Sequence, residues 1–256
     1  MPSARPAQPG RTAPGYASAM THARPPIGAP VPGWSARSRP PREPMDGRLV
    51  CLEPLDPARH GPALHEANLL DADGSNWTYM PYGPFATLAD WTAWATPMAT
   101  SADPRFFTIV DRASGLAVGV AAYLAIVPEM GTIEVGHIAY SPRLQRTPGA
   151  TEAMYLMMRT AFELGYRRYE WKCDSLNGPS RAAAQRLGLS FEGIFRQHRV
   201  VKGHNRDSAW FAAIDSEWPA LKAAFERWLD PANFDTAGHQ RERLSDLTAP
   251  ILVARG

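Results

Sequence analysis

The residues best placed for chemistry lie between Thr147 and Thr151. The run Thr147-Pro148-Gly149-Ala150 has the form of a helix start. Thr147 suits the N-cap, and Pro148 suits the first helical position, where a missing N–H costs nothing. A short loop, Ser141 to Arg146, joins it to the alternating, strand-like run Thr132 to Tyr140. A helix N-terminus at the end of a strand offers unpaired N–H groups and the positive end of the helix dipole. That suits an anion such as a phosphate. Metal and disulfide chemistry are not signalled. The two cysteines, Cys51 and Cys173, stand 122 positions apart in strand-like runs and read as buried free thiols. No metal is expected.

The elements that must position this loop follow from periodicity. Ala150, Ala153, Met154, Met157, Met158, Ala161 and Phe162 form a 3.6-residue stripe, and Gly165 ends the helix. A strand from Arg167 to Asp174 follows, with Tyr169, Trp171 and Cys173 on one face as core. Asn177 suits the N-cap of a short helix that ends at Gly188. Upstream, a strand at 48–54 and a helix from Pro57 to Asn68 lead into an aromatic loop containing Trp77, Tyr79, Tyr82 and Phe85. A helix from Leu88 to Met98 and strands at 106–110 and 116–127 come next. Downstream, Leu189 to Lys202 and Asp207 to Asp215 read as a hairpin about Gly203, and Ser216 caps a last helix. The turn at Met130-Gly131 makes its two strands antiparallel. The helix after Thr147 makes the strands it joins parallel, so the sheet is mixed.

Composition divides the chain. Residues 1–44 hold eleven of 25 prolines and six arginines against one acid, a net +5. They lack the apolar core of a secretory signal, and their prolines break the amphipathic helix of a transit peptide. They are expected to be a disordered extension. Residues 45–230 form the expected domain, and residues 231–256, without periodicity, a surface tail. Residues 45–256 carry 21 basic and 24 acidic side chains, a net −3, so charge makes no case for a nucleic-acid partner. The longest apolar run, Leu116 to Val127, has 12 residues and is too short to cross a bilayer. A cytoplasmic monomer or homodimer is the expectation.

From about Gly47 to Trp218 the chain resembles the GNAT acyl-CoA N-acyltransferase superfamily, most closely its ribosomal-protein N-terminal (Rim-type) branch. Carrying the resemblance are Glu134-Val-Gly-His137, Ala150-Thr-Glu-Ala153 and Ala161-Phe-Glu-Leu-Gly165. Asn177-Gly-Pro-Ser180, Arg186-Leu-Gly188, Phe191-Glu-Gly193 and Gly203-His-Asn-Arg-Asp207 follow in the branch's order. The resemblance implies an α+β (three-layer α/β/α) fold, with a mixed, mostly antiparallel six- to seven-stranded sheet flanked by helices. It also implies acetyl-CoA as cosubstrate. One departure stands out: Gln145-Arg146-Thr147-Pro148-Gly149-Ala150 has proline where the family's phosphate loop has its first glycine. Gly149, Ala150 and Thr151 still bring amides to that loop.

Transfer of an acetyl group from a thioester to an amine needs a neutral amine, a polarised carbonyl, proximity and a proton for the leaving thiolate. The resemblance assigns polarisation and cofactor contact to the strand end Ile138, Ala139 and Tyr140. Alternatively, Tyr140 and His137 merely pack under the helix. Glu134 is the candidate base, or else a structural or substrate-orienting carboxylate. Strand alternation groups it with Gly136, Ile138 and Tyr140, opposite Ile133, Val135 and His137. Many relatives place an acidic tyrosine where this chain has Ala184; the Rim-type branch uses a serine, matched by Ser180, which could instead only stabilise its turn. Asn177 would bridge the pantetheine arm or serve as a plain cap. Gln145, Arg146 and Arg181 could reach phosphates, or remain solvated. Trp77, Tyr79, Tyr82 and Phe85 form the expected acceptor wall, or simply pack over the core. The expected activity is acetylation of a primary amine, on a small molecule or a protein N-terminus. The alternative is a non-catalytic acyl-CoA-binding sensor or scaffold.

Overall fold

Eight strands form one sheet, in the order β1-β2-β3-β4-β5-β6-β8-β7, in the computed structural model, which describes residues 25–256. The strands are β1 (Met45–Asp46), β2 (Val50–Pro54), β3 (Arg105–Asp111), β4 (Ala117–Val127), β5 (Thr132–Tyr140), β6 (Arg168–Asp174), β7 (Ser190–Val201) and β8 (His204–Ile214). Only β5 and β6 pair in parallel. The extra strand beyond the expected six to seven is β1, whose two residues are too few for alternation to register.

Helices cover both faces. On one side α1 (Pro57–Asn68) and α2 (Leu88–Thr100) bury Leu64, Trp91 and Ala95 against Phe106 and Ala122. On the other, α3 (Pro148–Glu163), α4 (Gly178–Arg186), α5 (Trp218–Leu229) and α6 (Leu244–Thr248) enclose the larger core. Met154, Met157, Phe162, Tyr169, Trp171, Phe211 and Phe225 all belong to that core. Residues 35–256 form one unit. Residues 25–34 belong to a second unit and carry no helix or strand. Residues 1–24 of the Pro/Arg-rich segment lie outside the described residues.

Within that segment, residues 37–42 lie along the body. The Arg37 N–H donates to the Pro128 carbonyl at 3.0 Å, and the Arg42 guanidinium donates to the carbonyls of Ala99 and Ser101. At the other end, residues 231–256 hold more structure than their missing periodicity suggested. Leu244 and Thr248 are fully buried, Thr248 Oγ1 donates to the Arg186 carbonyl at 3.0 Å, and the Phe191 N–H donates to the Ala254 carbonyl at 3.2 Å. These bonds follow no period, which is why the sequence pattern did not reveal them. Ser216 is not the cap of α5. Glu217 takes that position, without a side-chain cap bond.

The start of α3 is fixed twice. Thr147 Oγ1 accepts the Ala150 N–H at 3.2 Å, as the sequence predicts for an N-cap. One turn on, the buried Glu152 carboxylate accepts the N–H groups of Arg48, Leu49 and Val50 at 3.0, 2.6 and 2.8 Å. A buried charge is tolerated where hydrogen bonds saturate it. Glu152 thereby joins α3 to the first residue of β2 and to the two residues before it.

Candidate active site

Two departures from regular pairing open the centre of the sheet. The β5–β6 ladder runs from Thr132↔Arg168 to Val135↔Trp171 and stops. Beyond it, β5 pairs only with β4 and β6 only with β8. In the same stretch β5 carries a bulge: Gly136 faces Ala122 and Ala139 faces Val120, so His137 and Ile138 together oppose Ala121. His137 sits at φ 50°, in the left-handed region. The result is a cleft of about 350 Å³ between the separating strands.

The bulge corrects the expected alternation. Glu134 and Gly136 face away from α3, opposite Ile133 and Val135, as a regular strand requires. After the bulge the order reverses. Ile138 and Tyr140 join Ile133 and Val135 on the α3 side, and the Tyr140 hydroxyl donates to the Ala150 carbonyl at 3.2 Å. His137 turns to the α2 side, its ring 5.1 Å from that of Phe106 and its Nδ1 3.2 Å from the Tyr82 hydroxyl.

One wall of the cleft is Glu134, with side-chain exposure of 9%. Lys172 Nζ lies 3.0 Å from its carboxylate and 2.9 Å from that of Glu170, which faces Glu134 in register. Lys172 also stacks 3.8 Å over the Trp210 ring. Burial pushes the Glu134 carboxyl above its ordinary value, against the pull of Lys172. Glu170 is held below its ordinary value, because the bonds from Arg168 and Lys172 outweigh its own burial. Two carboxylates sharing one ammonium are thus shifted in opposite directions. Burial, with the charges of Arg199 and Arg206, pushes the His137 imidazole down to about 4, so it is neutral near pH 7.

The other wall is the start of α4. Asn177 Oδ1 accepts the Ser180 N–H at 3.1 Å, so Asn177 is the N-cap, and the residue also lines the cleft. Trp171 Nε1 donates to Ser180 Oγ at 3.0 Å. With an indole N–H already filling an acceptor position, the serine hydroxyl hydrogen is left to point elsewhere. Trp171 is core, as expected, and it also orients Ser180.

The structure brings Glu134, Ile138, Ala139, Tyr140, Gln145, Asn177, Ser180 and Tyr79 to this cleft. Gln145 Nε2 spans from Asn76 Oδ1 (2.7 Å) to the Tyr140 carbonyl (2.9 Å). The phosphate-loop candidates lie around the α3 start instead. Arg146 is exposed at φ 60°, and Gly149 is buried, with a Cβ there meeting Val50 Cγ1 at 3.0 Å. Thr151 Oγ1 accepts from Arg186 Nη1 at 3.0 Å. Pro148 has no N–H, and that of Ala150 is taken by Thr147, which leaves Gly149 as the open amide of the first turn. Arg181 donates to the Ser175 carbonyl at 2.9 Å.

The aromatic loop divides. Tyr79 lines the cleft and donates to the Leu176 carbonyl at 3.2 Å. Trp77, Tyr82 and Phe85 pack on one another, and Tyr82 and Phe85 pack on Trp94, with Tyr82 and Trp94 4.4 Å apart between ring centroids. Lys202, at the tip of the β7–β8 hairpin, donates to the carbonyls of Trp77 (2.8 Å) and Gly83 (3.0 Å) and ties the loop down. Sequence reasoning missed Lys172, Arg199 and Arg206, all of which line the cleft. The hairpin register about Gly203 was a usable signal for the last two, since it sets Arg199 opposite Arg206.

With this geometry in hand, the comparisons with known proteins are specific. The domain family described as acetyltransferase (GNAT) domain matches residues 50–190. A crystal structure of a GCN5-related N-acetyltransferase from Brucella melitensis is 47% identical, covers 86% of this chain and 100% of its own, and superposes with a TM-score of 0.84. A probable acetyltransferase (GNAT family) from Chromobacterium violaceum is 42% identical, with 77% and 100% covered and a TM-score of 0.70. RimL, a ribosomal L7/L12 alpha-N-protein acetyltransferase in complex with coenzyme A, is 20% identical, with 68% and 99% covered and a TM-score of 0.57. That last likeness is one of fold. No curated protein matches the chain.

Proposed function

The chain belongs to the GNAT acetyltransferase family, and from that premise we propose that it transfers an acetyl group from acetyl-CoA to a primary amine, by direct attack in a ternary complex. The observation that carries the proposal is the opening of the sheet beyond Val135, with a buried carboxylate on one wall and an oriented hydroxyl on the other. Bound acetyl-CoA supplies an activated acetyl group as a thioester. The fit rests on the strand end Ile138 to Tyr140, which β6 leaves unpaired, and on the first turn of α3, where Gly149 keeps an open amide.

Glu134 takes the proton that the attacking ammonium must lose, directly or through water. Its raised pKa brings it nearer the pH at which a base and an amine exchange protons. The N–C bond forms as the C–S bond breaks, Ser180 gives its hydroxyl proton to the departing sulfur, and the second proton of the acetylated nitrogen passes, directly or through water, back to the Ser180 oxygen. The Trp171 bond holds the Ser180 oxygen in place for that step. Backbone N–H groups at the β5 end serve the developing oxyanion. The acceptor is a small-molecule amine or a protein N-terminus.

Acetyl-CoA thiol release with a panel of amines tests this directly, comparing wild type with Ser180→Ala and Glu134→Ala. Amine-dependent release that falls by about 100-fold in each variant is expected. Tight acetyl-CoA binding without any amine-dependent release would defeat it and favour a non-catalytic acyl-CoA-binding module.

A further inference from the structure

We propose that the acceptor amine carries an anionic group, a carboxylate above all, and that Arg199 and Arg206 bind it. The proposal rests on the acetyl-transfer function above and names its substrate class.

Arg199 on β7 and Arg206 on β8 are direct cross-strand partners, and both line the cleft that holds Glu134 and Ser180. Like charges set opposite each other destabilise a strand pair. Here, among the described residues, neither guanidinium forms a salt bridge. Arg206 Nε donates to Ser208 Oγ at 3.2 Å, a neutral partner that aims the guanidinium without cancelling its charge. The other cations of this region are neutralised: Lys172 bridges Glu134 and Glu170, and Arg168 pairs with Glu170 and Glu192.

Of the charged side chains that line the cleft, Lys172, Arg199 and Arg206 are cationic and Glu134 and Asp174 anionic, an excess of one positive charge. Burial and these two arginines push His137 down to about 4, so it adds no charge near pH 7, and burial, the same arginines and Lys172 push His198 below its ordinary value. Asp174 also lines the cleft, with one carboxylate oxygen accepting the Leu176 N–H at 2.9 Å, and it makes no ion pair with Arg206. The cleft lining is therefore net positive, with two adjacent guanidiniums outside any salt bridge, in a body whose net charge, over residues 45–256, is −3. Two forked donors side by side are suited to a carboxylate. The net charge of the body favours a cationic acceptor, but the charge at the site favours an anionic one, and the site makes the contact.

The experiment measures kcat/KM by thiol release at saturating acetyl-CoA. Free amino acids are compared with their C-terminal amides, and tripeptides carrying aspartate in second place with those carrying asparagine. Within whichever pair is used, the anionic member is expected to exceed its neutral counterpart by about 10-fold or more. The first pair responding points to a free α-carboxylate, the second to an acidic peptide. Arg199→Gln and Arg206→Gln should each erase most of that preference, lowering kcat/KM for the anionic amine by about 10-fold more than for its neutral counterpart, and keep acetyl-CoA affinity by calorimetry. Equal or better use of neutral amines overturns the proposal, and so does a loss of acetyl-CoA affinity, which would assign the arginines to the cosubstrate. If a variant does not fold, the wild-type panel alone decides. Thiol release with no amine at all would fail the acetyl-transfer function itself, a separate outcome.

Discussion

Replacing Glu152 with alanine should cost about 4 kcal/mol of stability and weaken acetyl-CoA binding as well. The carboxylate accepts three backbone N–H groups, from Arg48, Leu49 and Val50, at 3.0, 2.6 and 2.8 Å, and the residue is 5% exposed. A hydrogen bond to a charged group contributes roughly 1.5–3 kcal/mol, and a buried N–H left unpaired costs about 1–3 kcal/mol. The three are not additive, because they share one carboxylate and water can reach part of the space. About 3–5 kcal/mol is the consistent range. Glu152→Gln is the informative control. Its amide oxygen can still accept two of the N–H groups, but its NH₂ then confronts the third, so a loss of about 1.5–3 kcal/mol follows. Urea unfolding gives both numbers through the midpoint at unchanged slope. Because Glu152 lies in the second turn of α3, Glu152→Ala should also raise the KM for acetyl-CoA more than that for the amine. An alanine variant within 1 kcal/mol of wild type, on the scale of an ordinary surface change, would refute the reasoning.

Two further expectations concern the cleft. The rate should fall with acid as Glu134 is protonated, and because burial raises its pKa this limb should lie above the ordinary carboxylate range; Lys172→Met removes a charge that lowers that pKa, so the limb should move to higher pH still, and Glu134→Gln should abolish it. Trp171→Phe deletes the 3.0 Å bond to Ser180; kcat should drop by about 5-fold, the equivalent of one neutral hydrogen bond, with the KM for acetyl-CoA little changed in steady-state assays.

Much of the fold was legible because its signals are local. Thr147 and Pro148 announce α3, the stripe from Ala150 to Phe162 gives its length, and the tight turn before β5 makes β4 and β5 antiparallel. The candidate site was only partly legible. Glu134 and Ser180 could be named, but the bulge at His137 could not, since one extra residue in a strand leaves no trace in composition. That residue decides which of Ile138, Ala139 and Tyr140 face α3. Lys172 looked like an ordinary polar position between core residues Trp171 and Cys173. Its role depends on the parallel register that sets Glu134 beside Glu170. Of the four aromatic candidates for the acceptor wall, Tyr79 reaches the cleft. The other three pack on one another, and sequence alone does not distinguish a ring that lines a cavity from one that fills a core.

The two bonds from Lys202 make the aromatic loop and the hairpin tip a single mechanical piece, although they lie more than a hundred positions apart in the chain. Any exchange of this loop with a relative therefore has to move both segments as one cassette. A loop transplanted alone would arrive without the lysine that fixes its two carbonyls, and a hairpin transplanted alone would bring an ammonium to a surface not shaped to receive it.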